Sequence, residues 1–562
     1  MRSPRTLPWR DLWPAALLLL PVLLAYGQVG GFGFVNFDDD AYVQENPRVL
    51  EGPTAANLRW ALSTGHQGVW IPATWISLQL DAGLCGPAPG CFHRTNLVLH
   101  LVNALLVHAL VLALTGGRWR ALAVAAVFAV HPLNAEAVCW VTARKDLVLA
   151  AWSLAALLCW RRARASWQSG WAWATLACAL VAMAAKPQGV VLPAALVLVS
   201  AWNRDDVRRS SRSAVRELAA VLPLLALAAA VAWAAFTLAR SAEFGELTPV
   251  PLAQRVADAP ALVWRTVLKL VRPTPLAPVY PADGLHVSGA WGGVLLVAVL
   301  AVLAEGWRRR RRFPALLLGW SWFLVWLLPT LGLVQGGHLP LGDRYAYLAA
   351  VGLMFVVAEA AAGAAARRPR LRTPLAVLLV AVVALGVLQS RRQAAVWRDP
   401  VDLWRHTLAV TSDNALAHQN LAVVLDDRGR PTEAWPHLQA ALALAPTSRT
   451  HYNAGNVLLA LGRRAEAEQQ YLRALARNPG LVEASLNLGA LLGQDGRLDE
   501  ARAVLLQAEA RAPDLAAVQY NLGLVAWLAG DHGEAAVRLR RALALDPGHA
   551  KARELLDGLD GR

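Results

Sequence analysis

Apolar runs fill the first two thirds of the chain and thin out after residue 390. A helix needs about 20 mostly apolar residues to cross a bilayer. Segments near that length lie at 11–29, 95–115, 119–134, 146–160, 170–185, 188–202, 217–239, 287–305, 314–334, 346–363 and 373–390. The pattern predicts about eleven spans, two of them short. The stretch VWIPATWISLQLDAGL at 69–84 is interrupted by Pro72 and Asp81, and PALVWRTVLKLVR at 260–272 is amphipathic. Both read as helices lying in the membrane interface rather than crossing it.

A different period takes over in the last third. Asn420, Asn453, Asn487 and Asn521 recur at steps of 33, 34 and 34 residues. Gly429, Gly462, Gly496 and Gly530 keep the same steps, as do Ala434, Ala467, Ala501, Ala535 and Pro446, Pro479, Pro513, Pro547. This spacing is that of the tetratricopeptide repeat, two helices per unit. The small residues let the paired helices approach closely, the glycine ends the first helix and the proline stops the second. Repeats are expected at about 413–446, 447–479, 480–513 and 514–547, with flanking helices near 400–410 and 548–557. Four such units share one continuous core and present a concave groove that fits an extended peptide or a partner protein.

The expected fold is therefore all-α: a polytopic membrane helix bundle over 1–392, with an external acidic loop at 30–94, then a tetratricopeptide-repeat solenoid over 393–562. Composition agrees, with 56% hydrophobic and 17% charged residues against about 25% charged in ordinary soluble domains. The net charge of +15 comes almost wholly from arginine, lysine occurring only at 145, 186, 269 and 551. The positive charge sits in short runs between apolar segments, RRAR at 161–164, RDDVRRSSR at 204–212, RRRRR at 308–312 and RRPRLR at 367–372. Runs so placed hold loops in the cytoplasm and argue against nucleic acid as a partner. With Arg2, Arg5 and Arg10 ahead of the first span, the N-terminus is placed inside, and every basic run falls on that side. The outer segments are then 30–94, 131–146, 184–188, 240–286 and 335–346, and the repeats are outside too. The first apolar run is too long for a signal peptide and no A-x-A site follows it. Heavy use of arginine and alanine points to a GC-rich bacterial genome, hence an inner membrane with a periplasmic or extracytoplasmic outer face.

Five cysteines form neither a disulfide framework nor a metal quartet. Cys139, Cys159 and Cys178 lie in or beside apolar segments and read as small hydrophobes. Cys85 and Cys91 sit close enough in sequence for a short bridge if their loop faces an oxidising compartment; spacing alone leaves this open.

Ionisable residues at membrane depth are costly, so their positions are informative. Asp38, Asp39 and Asp40, then Glu45, follow the first span. FHRTNLVLH places His93, Asn96 and His100 on one helix face. HPLNAEAVCWVTARKD supplies His131, Glu136, Arg144 and Asp146; Lys186 ends an apolar helix; GGHLPLGDRYAY offers His338, Asp343, Arg344, Tyr345 and Tyr347. By the topology above, all converge on the outer face. Each also has a structural reading. An acidic run after an anchor is often a solvated loop, and Lys186 and Arg344 sit where basic residues snorkel to headgroups. His93, Asn96 and His100 fit interhelical hydrogen bonding better than catalysis. His131-Pro132 fits a helix break, and Asp343 a local pair with Arg344.

The order FVNFDD, W-x-P-x-T-W, FHxTNxxxH, HPxxxEAVxxVxxRxD, KPQG and DRYxYL, followed by the repeats, resembles the multi-spanning GT-C glycosyltransferases. Nearest in pattern are the transmembrane and tetratricopeptide-repeat O-mannosyltransferases and their bacterial relatives. The resemblance implies transfer of a sugar, usually mannose, from a polyprenyl-phosphate donor to Ser or Thr hydroxyls of exported proteins, with the repeats binding the acceptor. It implies that Asp38 or Asp39 is the general base, since a hydroxyl is a poor nucleophile until a positioned base takes its proton. Arg144, Lys186 and Arg344 become candidates for the donor phosphate, with Glu136, His131, Asp146 and Tyr345 in acceptor or supporting roles. Whether a divalent metal takes part is left open, as the Glu136 and His131 spacing is no metal motif by itself. Where animal relatives read Lys-Glu-Gln-Gly, this chain reads Lys186-Pro187-Gln188-Gly189, which removes any role of that glutamate. The competing class is a non-catalytic membrane scaffold whose repeats recruit partners for envelope assembly. A transporter is disfavoured, because neither midplane charge pairs nor duplicated halves stand out.

Overall fold

A computed structural model describes residues 13–163, 166–202, 211–239, 250–281, 283–333 and 342–560. His338 and most of the arginine run at 204–212 lie outside them. The chain divides into two compact units, Met1–Ser412 and Asp413–Arg562. The boundary falls later than the 392/393 junction expected from hydropathy. The helix Pro400–Val410 is soluble in character yet folds into the first unit. Trp404 donates its indole N–H to Asn36 at 2.6 Å, the His406 ring meets the Leu276 carbonyl at 2.9 Å, and Trp397 stacks on Trp140.

Each of the eleven apolar segments is helical in its described part. Among the described residues six helices are long and apolar enough to cross a bilayer: Pro14–Gly31, Pro89–Thr115, Ala219–Leu238, Gly289–Arg308, Asp343–Arg367 and Pro369–Arg398. The segment expected at 119–134 is instead a bent pair, Arg118–Ala129 with Pro132–Cys139, turning by 56°. Pro132 has no amide proton to continue the first helix, which is the physical reason for the break. Gly170–Ala185, Pro187–Trp202 and Pro314–Thr330 are shorter apolar helices. Arg144–Ala163 is long enough, but its charges at both ends shorten the apolar part. The first unit is thus an integral membrane bundle. Two helices cross closely at Gly319 and Gly352, where a Cβ on either would press into the other's carbonyl oxygen. Such contact between small residues is how membrane helices pack without a hydrophobic driving force.

The interrupted stretch at 69–84 enters the helix Pro72–Cys85, and the amphipathic one forms the second half of Leu252–Val271, with Arg272 just beyond its end. Cys85 and Cys91 are joined in a disulfide.

The second unit is a stack of helix pairs: Ala415–Asp427 with Pro431–Leu444, Ser448–Ala460 with Arg464–Arg477, Val482–Gln494 with Leu498–Arg511, and Ala516–Leu528 with His532–Leu545. Ala550–Asp560 closes it. Gly462 and Gly496 take φ of 76° and 77° at the turn inside each pair, a left-handed backbone that glycine adopts without strain. A cavity of about 370 Å³ opens between the second and third pairs, lined by Asn456, Tyr471, Asn487 and Gln494 among others.

Candidate functional site

The polar residues that looked scattered along the sequence meet in one region of the membrane unit. Five segments contribute, and each contact joins two stretches that the charge rule placed on the same side. Asp39 in the first loop binds Thr142; Arg144 binds Asp81; Lys186 binds Asp146; Arg344 binds Glu136; Lys269 binds Asp343. On the other side, Arg120 pairs with Glu359 at 3.1 Å, again within one expected face.

The first loop is fixed by Asp39, not by Asp38. Asp39 is fully buried. Its Oδ1 accepts from the amide and the hydroxyl of Thr142 at 3.0 and 2.7 Å, and its Oδ2 accepts from the Val35 amide at 3.2 Å. Burial raises its pKa to about 7, against the hydrogen bonds and with some help from the Asp38 charge. Trp140 adds a second tie, donating its indole N–H to the Phe37 carbonyl at 2.6 Å and stacking on the Phe37 ring at 4.6 Å. Held on both flanks, Asp38 takes φ of 67° and is exposed. Aspartate is one of the few residues that tolerate that conformation. Among the described residues no side chain pairs with its carboxylate. Asp40 opens the single wide turn Asp40–Gln44, and Glu45 is exposed beyond it.

Arg144, Lys186 and Arg344 each hold one of these carboxylates, but their states differ. Arg144 is fully buried and spends its guanidinium on Asp81 at 2.6 Å, the Phe92 carbonyl at 2.7 Å, Ser77 at 2.9 Å, and Asn96. It is a strut between the two helices Pro72–Cys85 and Pro89–Thr115 and the helix it starts. Lys186 holds Asp146 at 2.6 Å while its ammonium faces the Tyr345 ring at 5.1 Å. Arg344 donates through its side chain and its amide to Glu136, and its guanidinium lies 4.9 Å from the Trp140 ring and 4.8 Å from Tyr345. Its Nε–H, and the Oδ2 of Asp146, are buried with no partner among the described residues.

Other sequence candidates take structural positions. His131 is turned away from this cluster: its ring bridges the Leu133 amide and the Leu270 carbonyl. His93 meets the Gly33 carbonyl at 3.0 Å, Asn96 donates to the Trp140 carbonyl at 2.9 Å, and His100 sits between Tyr347 and the Ala129 carbonyl. The His100 bonds are interhelical, as the spacing suggested, whereas His93 and Asn96 tie their helix to carbonyls outside helices. Asp343 does not pair with Arg344; it takes Lys269 at 2.6 Å and the Tyr280 hydroxyl at 2.9 Å. Among the described residues no group of three or more His, Cys, Asp or Glu side chains is placed to hold a metal.

Two residues were passed over in sequence. Trp140 is the hub of the region, and Lys145 points its ammonium at the rings of Tyr42 and Trp140, 4.8 and 5.3 Å away. Lys145 sat in the quoted motif between two flagged neighbours, and the scarcity of lysine was the one signal that could have singled it out.

A profile of the tetratricopeptide repeat matches residues 452–516 and 491–550. The chain is similar to protein O-mannosyl-transferase Tmtc1 of Drosophila melanogaster, 31% identical over 192 residues, 33% of this chain and 22% of that protein. To protein O-mannosyl-transferase TMTC1 of Homo sapiens it is 25% identical over 506 residues, 78% of this chain and 56% of the human one. To Tmtc2 of Drosophila melanogaster it is 35% identical over 125 residues, 21% of this chain and 13% of the fly protein. The chain thus resembles the transmembrane and tetratricopeptide-repeat O-mannosyltransferases, while spanning little more than half the length of the human relative.

Proposed function

We propose that the chain is an integral-membrane glycosyltransferase. It moves a sugar, mannose by analogy with its relatives' names, from a polyprenyl-phosphate donor to Ser or Thr hydroxyls of exported proteins on the non-cytoplasmic face. The observation that carries the reading is the exposed Asp38 carboxylate, held in a left-handed turn of the first loop and interacting electrostatically with Lys145, which in turn feels the charges of Lys186 and Arg344.

In that arrangement the acceptor oxygen attacks the anomeric carbon, and its proton passes to the Asp38 carboxylate. The bond from that carbon to the phosphate oxygen breaks with its electron pair, and the lipid phosphate leaves among Lys186, Arg344 and their neighbours. Direct displacement inverts the anomeric centre. Asp38 is favoured over Asp39 as the base because both Asp39 oxygens are already engaged and shielded. Arg344 and Lys186 stabilise charge developing on the phosphate from fixed positions, so little reorganisation is needed as it leaves. The repeats receive the acceptor chain, a role that fits the cavity at Asn456 and Asn487, where amide side chains alternate with apolar ones. The Cys85–Cys91 disulfide supports an oxidising compartment for this face, and a bacterial periplasm is the proposed one.

The test is mass spectrometry of exported peptides from cells lacking the chain, complemented with wild type or with Asp38→Asn. Asparagine tolerates the same left-handed backbone, so this change isolates the charge. A hexose on Ser or Thr that returns with wild type and not with the variant supports the reading. Equal glycan patterns in all strains overturn it in favour of the scaffold.

A further inference from the structure

Arg144, Lys145 and Asp146 open one helix, and successive residues of a helix point about 100° apart. The three charges therefore leave toward three different neighbours. Arg144 goes inward to Asp81, Ser77, Asn96 and Phe92; Asp146 goes to Lys186; Lys145 goes to the rings of Tyr42 and Trp140, where the Asp38 charge acts on it. In the cluster the cations near Lys145 already have carboxylate partners, Lys186 in Asp146 and Arg344 in Glu136. Lys145 has none: among the described residues neither a hydrogen bond nor a salt bridge reaches its ammonium, which rests against the Tyr42 and Trp140 rings.

Ring faces attract an ammonium through its charge and leave its N–H donors unspent. Among the described residues Asp38 is thus left as a carboxylate with no cation bonded to it and Lys145 as a cation with no carboxylate bonded to it, and the two charges act on each other. One is placed for a proton to be taken up, the other for an anion to be received. Arg144 has the sequence pattern of a phosphate ligand, but it is fully buried and spends four of its five N–H donors within the protein.

We propose that Lys145, rather than Arg144, grips the phosphate of a polyprenyl-phosphate donor and takes up the negative charge left on it when the sugar departs. The assignment rests on the glycosyltransferase reading above. The electron pair of the breaking carbon–oxygen bond ends on the phosphate oxygen beside this ammonium, and the hydroxyl proton ends on Asp38.

The experiment measures binding of a polyprenyl phosphate to the full chain in lipid nanodiscs, with inorganic phosphate and phosphatidylglycerol as separate competitors. Lys145→Met and Lys145→Gln are expected to weaken binding at least tenfold at unchanged melting temperature, and Lys145→Arg to restore part of it. Tyr42→Leu, which removes a ring and no charge, is expected to weaken it less. In transfer assays the donor KM rises for the two neutral variants. Unchanged binding in both overturns the role of Lys145 while leaving the glycosyltransferase reading intact. Displacement by phosphatidylglycerol as readily as by the polyprenyl phosphate also overturns it, making Lys145 a headgroup contact. Wild type that neither binds the polyprenyl phosphate nor restores a hexose in cells overturns the broader reading, and Lys145 with it.

Discussion

Asp39 and Thr142 are 103 residues apart, and the aspartate Oδ1 accepts both the amide and the hydroxyl of the threonine. The acid thereby caps, from another segment, the turn Val141–Ala143 that feeds the helix Arg144–Ala163. One contact sets both the position of Asp38 on its strand of loop and the direction in which Lys145 leaves its helix.

Loss of that contact is expected to act through position. Thr142→Val removes one hydrogen bond to a buried carboxylate, a loss of about 1–3 kcal/mol. Asp39→Asn turns one carboxylate oxygen into a donor, which then faces either the Val35 or the Thr142 amide. Both variants should melt at lower temperature than wild type in the same detergent. Asp38→Asn should melt as wild type does, so the melting temperatures separate the anchoring acid from the presented one.

Asp39 also predicts a pH dependence. Burial raises its carboxyl to about 7 in the folded chain from an ordinary 3.8, so the folded state holds the proton more tightly than the unfolded one. The stability this supplies is fully present below the ordinary value and is lost as pH rises through about 7. Melting followed from pH 5 to pH 8, a range of roughly three units, should fall more steeply for wild type than for Asp39→Asn. Parallel profiles would remove the raised carboxyl from the account.

Arg144 predicts a fold defect. Removing one partner of a buried ion pair costs roughly 3–5 kcal/mol, because the other charge stays buried alone. Arg144→Met and Asp81→Asn are each expected to lower the yield of monodisperse protein in gel filtration. Whatever protein survives should bind polyprenyl phosphate with little change, unlike Lys145→Met.

The repeats offer a test of two kinds of glycine. Gly496 has a φ of 77° with nothing near the position of a Cβ, whereas a Cβ on Gly489 would meet Leu505 at 2.6 Å. Gly496→Ala should cost about 1 kcal/mol, and Gly496→Asn less. Gly489→Ala should cost more, by forcing Leu505 or the helix spacing to move. Limited proteolysis of the full chain, scored by release of repeat fragments, ranks the three.

The sequence by itself determined what local energetics control. Transfer of apolar side chains into lipid marked the helical segments, charge asymmetry sorted the loops into two faces, and recurring glycine, alanine and proline marked the helix pairs. Those terms depend on neighbours a few residues away, so they can be read in one dimension. Even there, Pro132 bent a run that hydropathy alone had read as one span, and Trp404 and His406 drew a helix across the expected domain boundary.

Only the tertiary structure decided which charge meets which. Asp38 and Asp39 are adjacent and chemically alike, yet one is sealed against Thr142 and the other exposed. Arg144 and Lys145 are likewise adjacent, and the turn of the helix sends the arginine to Asp81 and the lysine to Tyr42. Asp343 left Arg344 for Lys269, and His131 turned toward Leu270. Each pairing is the joint result of burial costs and donor geometry across segments far apart in the chain, and no window of neighbouring residues contains that information.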